Sequence, residues 1–205
     1  MKKLWLFCVA ILLSGCASMS SQQQTYTFQE NGRPLGTHYL TWAARQQQLS
    51  AIPNWNIQGG IAIHNDQHGW NASFNWQQQA KNYTLVMFGP LGANRIQLSG
   101  TATGVTLQTP NQTLTAATPE ELVSREIGYP LPVSSLYYWI RGLPSPYSPI
   151  LHRSMDMNNH LANLTQQGWS IIYLRYLSVN GKDLPDRMLL NNGNLQIRIV
   201  ITGWQ

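Results

Sequence analysis

Cys16 is the residue whose surroundings most clearly prepare it for chemistry. It closes the run Leu13-Ser14-Gly15-Cys16, which follows a basic tip (Lys2, Lys3) and an apolar stretch from Leu4 to Leu13. A charged start, a short apolar segment and a small-residue site make a secretory signal. The stretch is shorter than the ~20 residues a bilayer-crossing helix needs. A cysteine directly after the small pair matches the bacterial lipobox, in which the thiol is acylated and the cysteine becomes the new N terminus. Elsewhere the search for chemistry is thin. There is no HExxH, CxxC, GxSxG or phosphate-binding glycine loop. His64 and His68 sit four apart on an expected hairpin turn, where solvation is a better reading than metal binding. The adjacent Glu120 and Glu121 suit the start of a helix. The chain is therefore expected not to be an enzyme and to use no cofactor or metal.

That start bounds the rest. Removing 15 of the 205 residues leaves 190, enough for one domain with a sizeable core. Losing Lys2 and Lys3 reduces the formal charge from +5 to +3, and the basic residues are spread singly, so no nucleic-acid patch is visible. Cys8 leaves with the signal and Cys16 is used by lipid, so the mature fold has no disulfide.

The elements that must hold any site follow in order. Residues 1–15 form the signal, and 16–36 the lipidated N terminus with a Ser-, Gln- and Thr-rich flexible spacer. The remaining domain, 37–205, opens with an amphipathic helix from Thr37, a capping residue, to Leu49, ended before Pro53. The period then changes from helical to two. Six short strands with tight turns, one of them from Asn65 to Gly69, predict an antiparallel meander ending near Leu114. Thr118-Pro119-Glu120-Glu121 starts a second helix, with Leu122, Val123 and Ile127 as its apolar stripe and Gly128 as its stop. A third helix is expected over Val133 to Arg141, then a proline-rich loop. Further strands are expected at Leu161–Thr165, Trp169–Val179, Met188–Leu190 and Leu195–Ile201, with Gln166-Gln167-Gly168 as a turn. The Asn192-Gly193 pair supports a hairpin.

A single sheet of about ten strands must curl. The alternation leaves two outcomes open: an open barrel with a greasy interior, or helices packed on the sheet as a dry core without ligand space. The turn Gly89-Pro90-Leu91-Gly92 is also open to two readings, because its glycines and proline have no structural need for a leucine. Leu91 either folds back as a plug, as burial of leucine ordinarily favours, or projects as an apolar tip able to meet lipid.

Taken together, several segments carry a resemblance. They are the lipobox, the Trp42 helix, Phe88-Gly89-Pro90-Leu91-Gly92 with Ile96 and Leu98, and Trp139-Ile140-Arg141-Gly142-Leu143-Pro144. The C-terminal series Trp169, Tyr173, Tyr176, Leu184-Pro185, Met188, Leu190, Gly193, Ile197 and Trp204 completes them. Over essentially its whole length the chain resembles the LolB family of Gram-negative outer-membrane lipoprotein receptors. The resemblance implies an α+β fold: an incomplete, half-open antiparallel β-barrel of ten or eleven strands covered by helices, of the LolA/LolB type. It implies a monomer, lipid-anchored at the inner leaflet of the outer membrane and facing the periplasm. The partners implied are a LolA-like periplasmic carrier and acylated lipoprotein cargo, with no nucleotide, metal or nucleic acid. Ala17 after the lipidated cysteine fits outer-membrane sorting. Pro90, Leu91 and Gly92 become the membrane-delivery loop, which reverses the preference for a plug.

The acyl cavity is then expected to be lined by Ile61, Ile63, Phe74, Trp76, Leu85, Met87, Ile96, Leu98, Ile197 and Ile199. Its lid would come from Leu122, Val123, Leu136, Trp139 and Ile140. Register decides these names, since a slip of one residue swaps the faces. By position, Arg95, Arg141 and Arg153 are candidates for docking the carrier. The rival reading is an anchored envelope ligand-binding lipoprotein without a transfer role, which calls for a polar pocket. An envelope hydrolase would need a nucleophile or carboxylate pair that does not stand out.

Overall fold

The structure is a computed structural model that describes residues 40–65, 67–92 and 94–205. The signal, Cys16, the spacer and the cap expected at Thr37 lie outside these residues, as does the side chain of Ile127.

The first helix, α1 (Trp42–Ser50), starts where Thr41 turns its hydroxyl onto the Ala44 amide at 3.3 Å. Thr41 thus does the capping expected of Thr37, and Pro53 follows the helix as expected. Six strands come next: β1 (Asn54–His64), β2 (Gly69–Gln79), β3 (Asn82–Phe88), β4 (Ile96–Thr101), β5 (Gly104–Gln108) and β6 (Thr113–Ala116). Two helices interrupt them, α2 (Pro119–Ile127) and α3 (Val133–Trp139). α2 has the expected start, with Thr118 capping the Glu121 amide, and the expected stop at Gly128 in the left-handed region (φ 80°). The chain returns through β7 (His152–Met155), β8 (Leu161–Gln166), β9 (Trp169–Val179), β10 (Lys182–Asn191) and β11 (Gln196–Trp204).

All eleven strands form one antiparallel sheet, ordered β6-β5-β4-β3-β2-β1-β11-β10-β9-β8-β7. The two meanders join where β1 pairs with β11, setting Ile61 opposite Ile199 and Ile63 opposite Ile197. β6 and β7 remain as edges, so the barrel is open, as expected. The register shifts at Gln58/Gly59, and a Cβ on Gly59 would run into the Val200 carbonyl oxygen. Glycine lets the two backbones close there.

Four expectations need correction. β7 (His-Arg-Ser-Met) carries no apolar alternation and gave no signal. α3 ends at Trp139 rather than Arg141, because the chain turns through Gly142 at φ 74°. β10 is longer than Met188–Leu190, since Pro185 is accommodated at a register shift that leaves the strand continuous. Gln166, expected in a turn, is the buried last residue of β8.

Candidate functional site

Alternation puts every second strand residue on the concave face. All fifteen residues expected to line or lid the interior fall in one buried cluster, none more than 9% exposed. The strands contribute Ile61, Ile63, Phe74, Trp76, Leu85, Met87, Ile96, Leu98, Ile197 and Ile199, and the helices Leu122, Val123, Leu136, Trp139 and Ile140. At one end the ring of Trp55 lies 5.3 Å from Trp76, 6.0 Å from Tyr137 and 5.9 Å from Trp204. Two polar atoms inside, Trp55 Nε1 and Tyr83 Oη, have no partner among the described residues. Burial, and secondarily the charge of Glu120, push the Tyr83 hydroxyl well above its ordinary pKa, so it stays a neutral donor.

The lid is fixed unevenly. At its C-terminal end the Trp139 indole donates to Gln166 Oε1 (3.0 Å), and the Trp139 carbonyl accepts from the Tyr173 hydroxyl (3.0 Å). Gln166 is spent in full: its amide nitrogen reaches the carbonyls of Ser145 (2.6 Å) and Ser148 (2.7 Å), and its oxygen also accepts from the Ser145 amide (2.9 Å). At the other end Glu120 of α2 accepts from the Ser134 amide (2.7 Å) and hydroxyl (3.2 Å), which couples the two helices to each other rather than to the sheet.

Arg141 is not a docking residue. It is 2% exposed, lies 4.2 Å over the Tyr137 ring and donates to the carbonyls of Leu49 and Ile52, at and just beyond the end of α1. Arg141 thus adds a charged donor to the carbonyls that close α1, one of which, that of Leu49, also accepts from the Ile52 amide. Arg95 and Arg153 are exposed as expected. His64 and His68 are exposed too, and no group of three metal-ligating side chains is present among the described residues.

Sequence reasoning missed a second polar knot. His160, fully buried, lies between Asp156 and Asp183 with ring nitrogens 2.7 and 3.1 Å from their carboxylate oxygens. It is stacked 4.3 Å from Tyr176, while buried Arg45 of α1 reaches Asp183 (3.4 Å). The five residues are scattered over 138 positions, so no local pattern announced them. Burial works to raise the Asp156 pKa, but hydrogen bonds from the His160 ring and from the His160 and Asn158 amides outweigh it and hold the carboxyl low. A lowered carboxyl contributes stability above its unfolded value, about 4, and loses it as pH falls through the folded value. Denaturation should therefore show wild type more stable than Asp156→Asn at neutral pH. The gap should narrow only below about pH 4.

The Leu91 turn settles the open choice in favour of projection. Leu91 has φ 57° and ψ 24° and is 107% exposed. A left-handed conformation costs a leucine about 1–2 kcal/mol, and no packing offsets it. β3 ends opposite Ser73, in mid-sheet, so the turn stands out from the convex face. Beside it lie two shallow hollows of about 500 and 570 Å³, floored by small residues such as Gly60, Ala62 and Ser73 and bordered by Arg198 and Arg95 respectively.

An open antiparallel half-barrel with an aliphatic concave face, two lid helices and an apolar tip outside is the class of fold that these elements define. A LolA-superfamily protein from Nitrosomonas europaea has the same fold, with TM-score 0.51 at 7% identity over 81% of this chain and 93% of that one. The family model for outer membrane lipoprotein LolB matches residues 53–204. The outer-membrane lipoprotein LolB of Coxiella burnetii (strain RSA 493) is 37% identical over 97% of this chain and 93% of its own. That of Pseudomonas fluorescens (strain Pf0-1) is 36% identical with the same coverage. The chain belongs to the LolB family of outer-membrane lipoproteins. Members are non-enzymatic receptors in lipoprotein localisation, lipid-anchored at the outer membrane.

Proposed function

We propose that the chain receives acylated lipoproteins from a LolA-like periplasmic carrier into its concave face and inserts them into the outer membrane. In this reading cleavage after residue 15 leaves Cys16 as the acylated N terminus, residues 16–36 act as tether, and the receptor works as a monomer. The observation that carries it is the concave face: aliphatic and aromatic, and closed by a lid held firmly at one end. Each CH₂ of an acyl chain contributes about 0.8 kcal/mol on burial, so multi-acyl cargo must pass from one apolar surface to another. Here the interior side chains fill their own space, so cargo enters as α2 and α3 swing off the sheet and acyl chains replace their contacts. A difference of about 1.4 kcal/mol per tenfold bias suffices to set direction.

The test mixes the receptor with a carrier bearing a lipoprotein of radiolabelled acyl chains, then adds vesicles. Label should move first to the receptor and then to the vesicles. If none reaches the receptor, transfer is lost, and the alternative of an anchored ligand-binding lipoprotein takes its place.

A further inference from the structure

We infer that Arg198 and Arg95, which border the two hollows beside the Leu91 turn on the convex face, together with Arg187 next to Arg198, form a seat for the phosphates of lipid headgroups. The inference rests on the reading of Leu91 as the tip that enters lipid, and names the second half of that contact.

Register places the residues. Across the convex face Arg187 pairs with Val200, Val200 with Gly60, Gly60 with Ser73, and Ser73 with Phe88, from which the Leu91 turn leaves. Arg198 lies one pair further along β11, opposite Ala62, so it is a diagonal neighbour of Arg187. Gly60, Ala62 and Ser73 between them are small, so Arg198 and Arg95 border open hollows instead of lying over bulky neighbours. Arg198 shares one hollow with Leu91, and Arg95 borders the other with Phe88.

All three are exposed, and among the described residues none pairs with a carboxylate. The described acids are committed elsewhere: Glu120, Glu121 and Glu126 on α2, Asp156 and Asp183 in the His160 knot, and Asp186 buried against Arg175. Like charges on adjacent strands are destabilising, so stability does not account for this grouping. A guanidinium fork matches phosphate oxygens two at a time. With Leu91 below the surface, the foot of its turn sits at headgroup level, where phosphates are. Charge and apolar tip thus point the same way, and the lid faces away from the membrane toward the periplasm.

The test uses the chain from residue 16 on, carrying Cys16→Ala so that no anchor holds it. Its binding is measured to phosphatidylethanolamine–phosphatidylglycerol vesicles and to phosphate-free galactolipid vesicles. Each arginine near an anionic surface is worth about fivefold in binding. Arg95→Gln/Arg198→Gln should therefore bind phospholipid about twenty-five-fold more weakly, with unchanged melting and unchanged galactolipid binding. Arg95→Lys/Arg198→Lys should recover most of the loss. Wild-type binding to phospholipid by the Gln pair, or an equal loss on both lipids, overturns the phosphate seat and leaves the Leu91 reading standing. Leu91→Glu distinguishes the two: if it binds both lipids as wild type does, the loop reading itself has failed.

Discussion

Leu91→Glu should take up lipoprotein from the carrier at the wild-type rate and deliver it to vesicles roughly a hundredfold more slowly, about 2.7 kcal/mol. The side chain touches nothing in the fold, so its replacement should change stability by no more than about 0.5 kcal/mol. What changes is its partition into lipid. Burying a leucine is worth about 1.5–3 kcal/mol, and a carboxylate in the same place adds a cost of its own. Leu91→Ala should fall between, near tenfold. Leu91→Gly makes the sharpest comparison, because it also relieves the left-handed backbone. That variant should melt at or above wild type and still deliver poorly, since strain held at an exposed tip serves the contact rather than the fold. Delivery at wild-type rates by Leu91→Glu would remove the loop from the mechanism.

How much of this was legible in the sequence depends on what kind of signal each residue sends. Ile61, Phe74, Leu98 and Ile199 announce their face because a strand's period of two leaves no third choice once polar residues take the alternate positions. The helix α2 announced both ends, since capping depends on residues within one turn. By contrast, β7 exists because β8 offers it a partner, which its own four residues do not encode. Arg141 looked like a rim charge because a lone arginine ordinarily is one. Its burial goes with carbonyls it reaches at and just beyond the end of α1, some ninety positions away. The same holds for His160, whose two carboxylates and stacked tyrosine meet only in three dimensions. Leu91 was undecided for a physical reason: the pattern Gly-Pro-Leu-Gly fixes a turn, not the direction in which it points. The resemblance chose projection, and the backbone angles supply it.

Trp139→Ala should have the largest effect on stability, about 3–5 kcal/mol from loss of a fully buried indole and the cavity left behind. For a chain of this size each kcal/mol lowers Tm by roughly 2–4 °C, so the melting point should fall by roughly 6–20 °C. Trp139→Phe should lose less, because the ring still fills most of the space while Gln166 Oε1 keeps its bond from the Ser145 amide. The size of this effect locates the hinge. One end of the lid is bound to the sheet by buried hydrogen bonds of Trp139 with Gln166 and Tyr173; the other packs Leu122 and Val123 on the core, and its side-chain bonds run from Glu120 to Ser134 of its sister helix and from Glu126 to the exposed amide of Gln112. Opening the site without unfolding the protein therefore means that α2 and the start of α3 lift while Trp139 stays. Amide hydrogen exchange should show this directly, fast over Pro119–Ile127 and slow around Trp139, because the side-chain hydrogen bonds that tie α2 to its surroundings are exposed or half-buried while those of Trp139 are buried. Equal protection at both ends would sink the hinge, and with it the idea that cargo enters under a lid that remains attached.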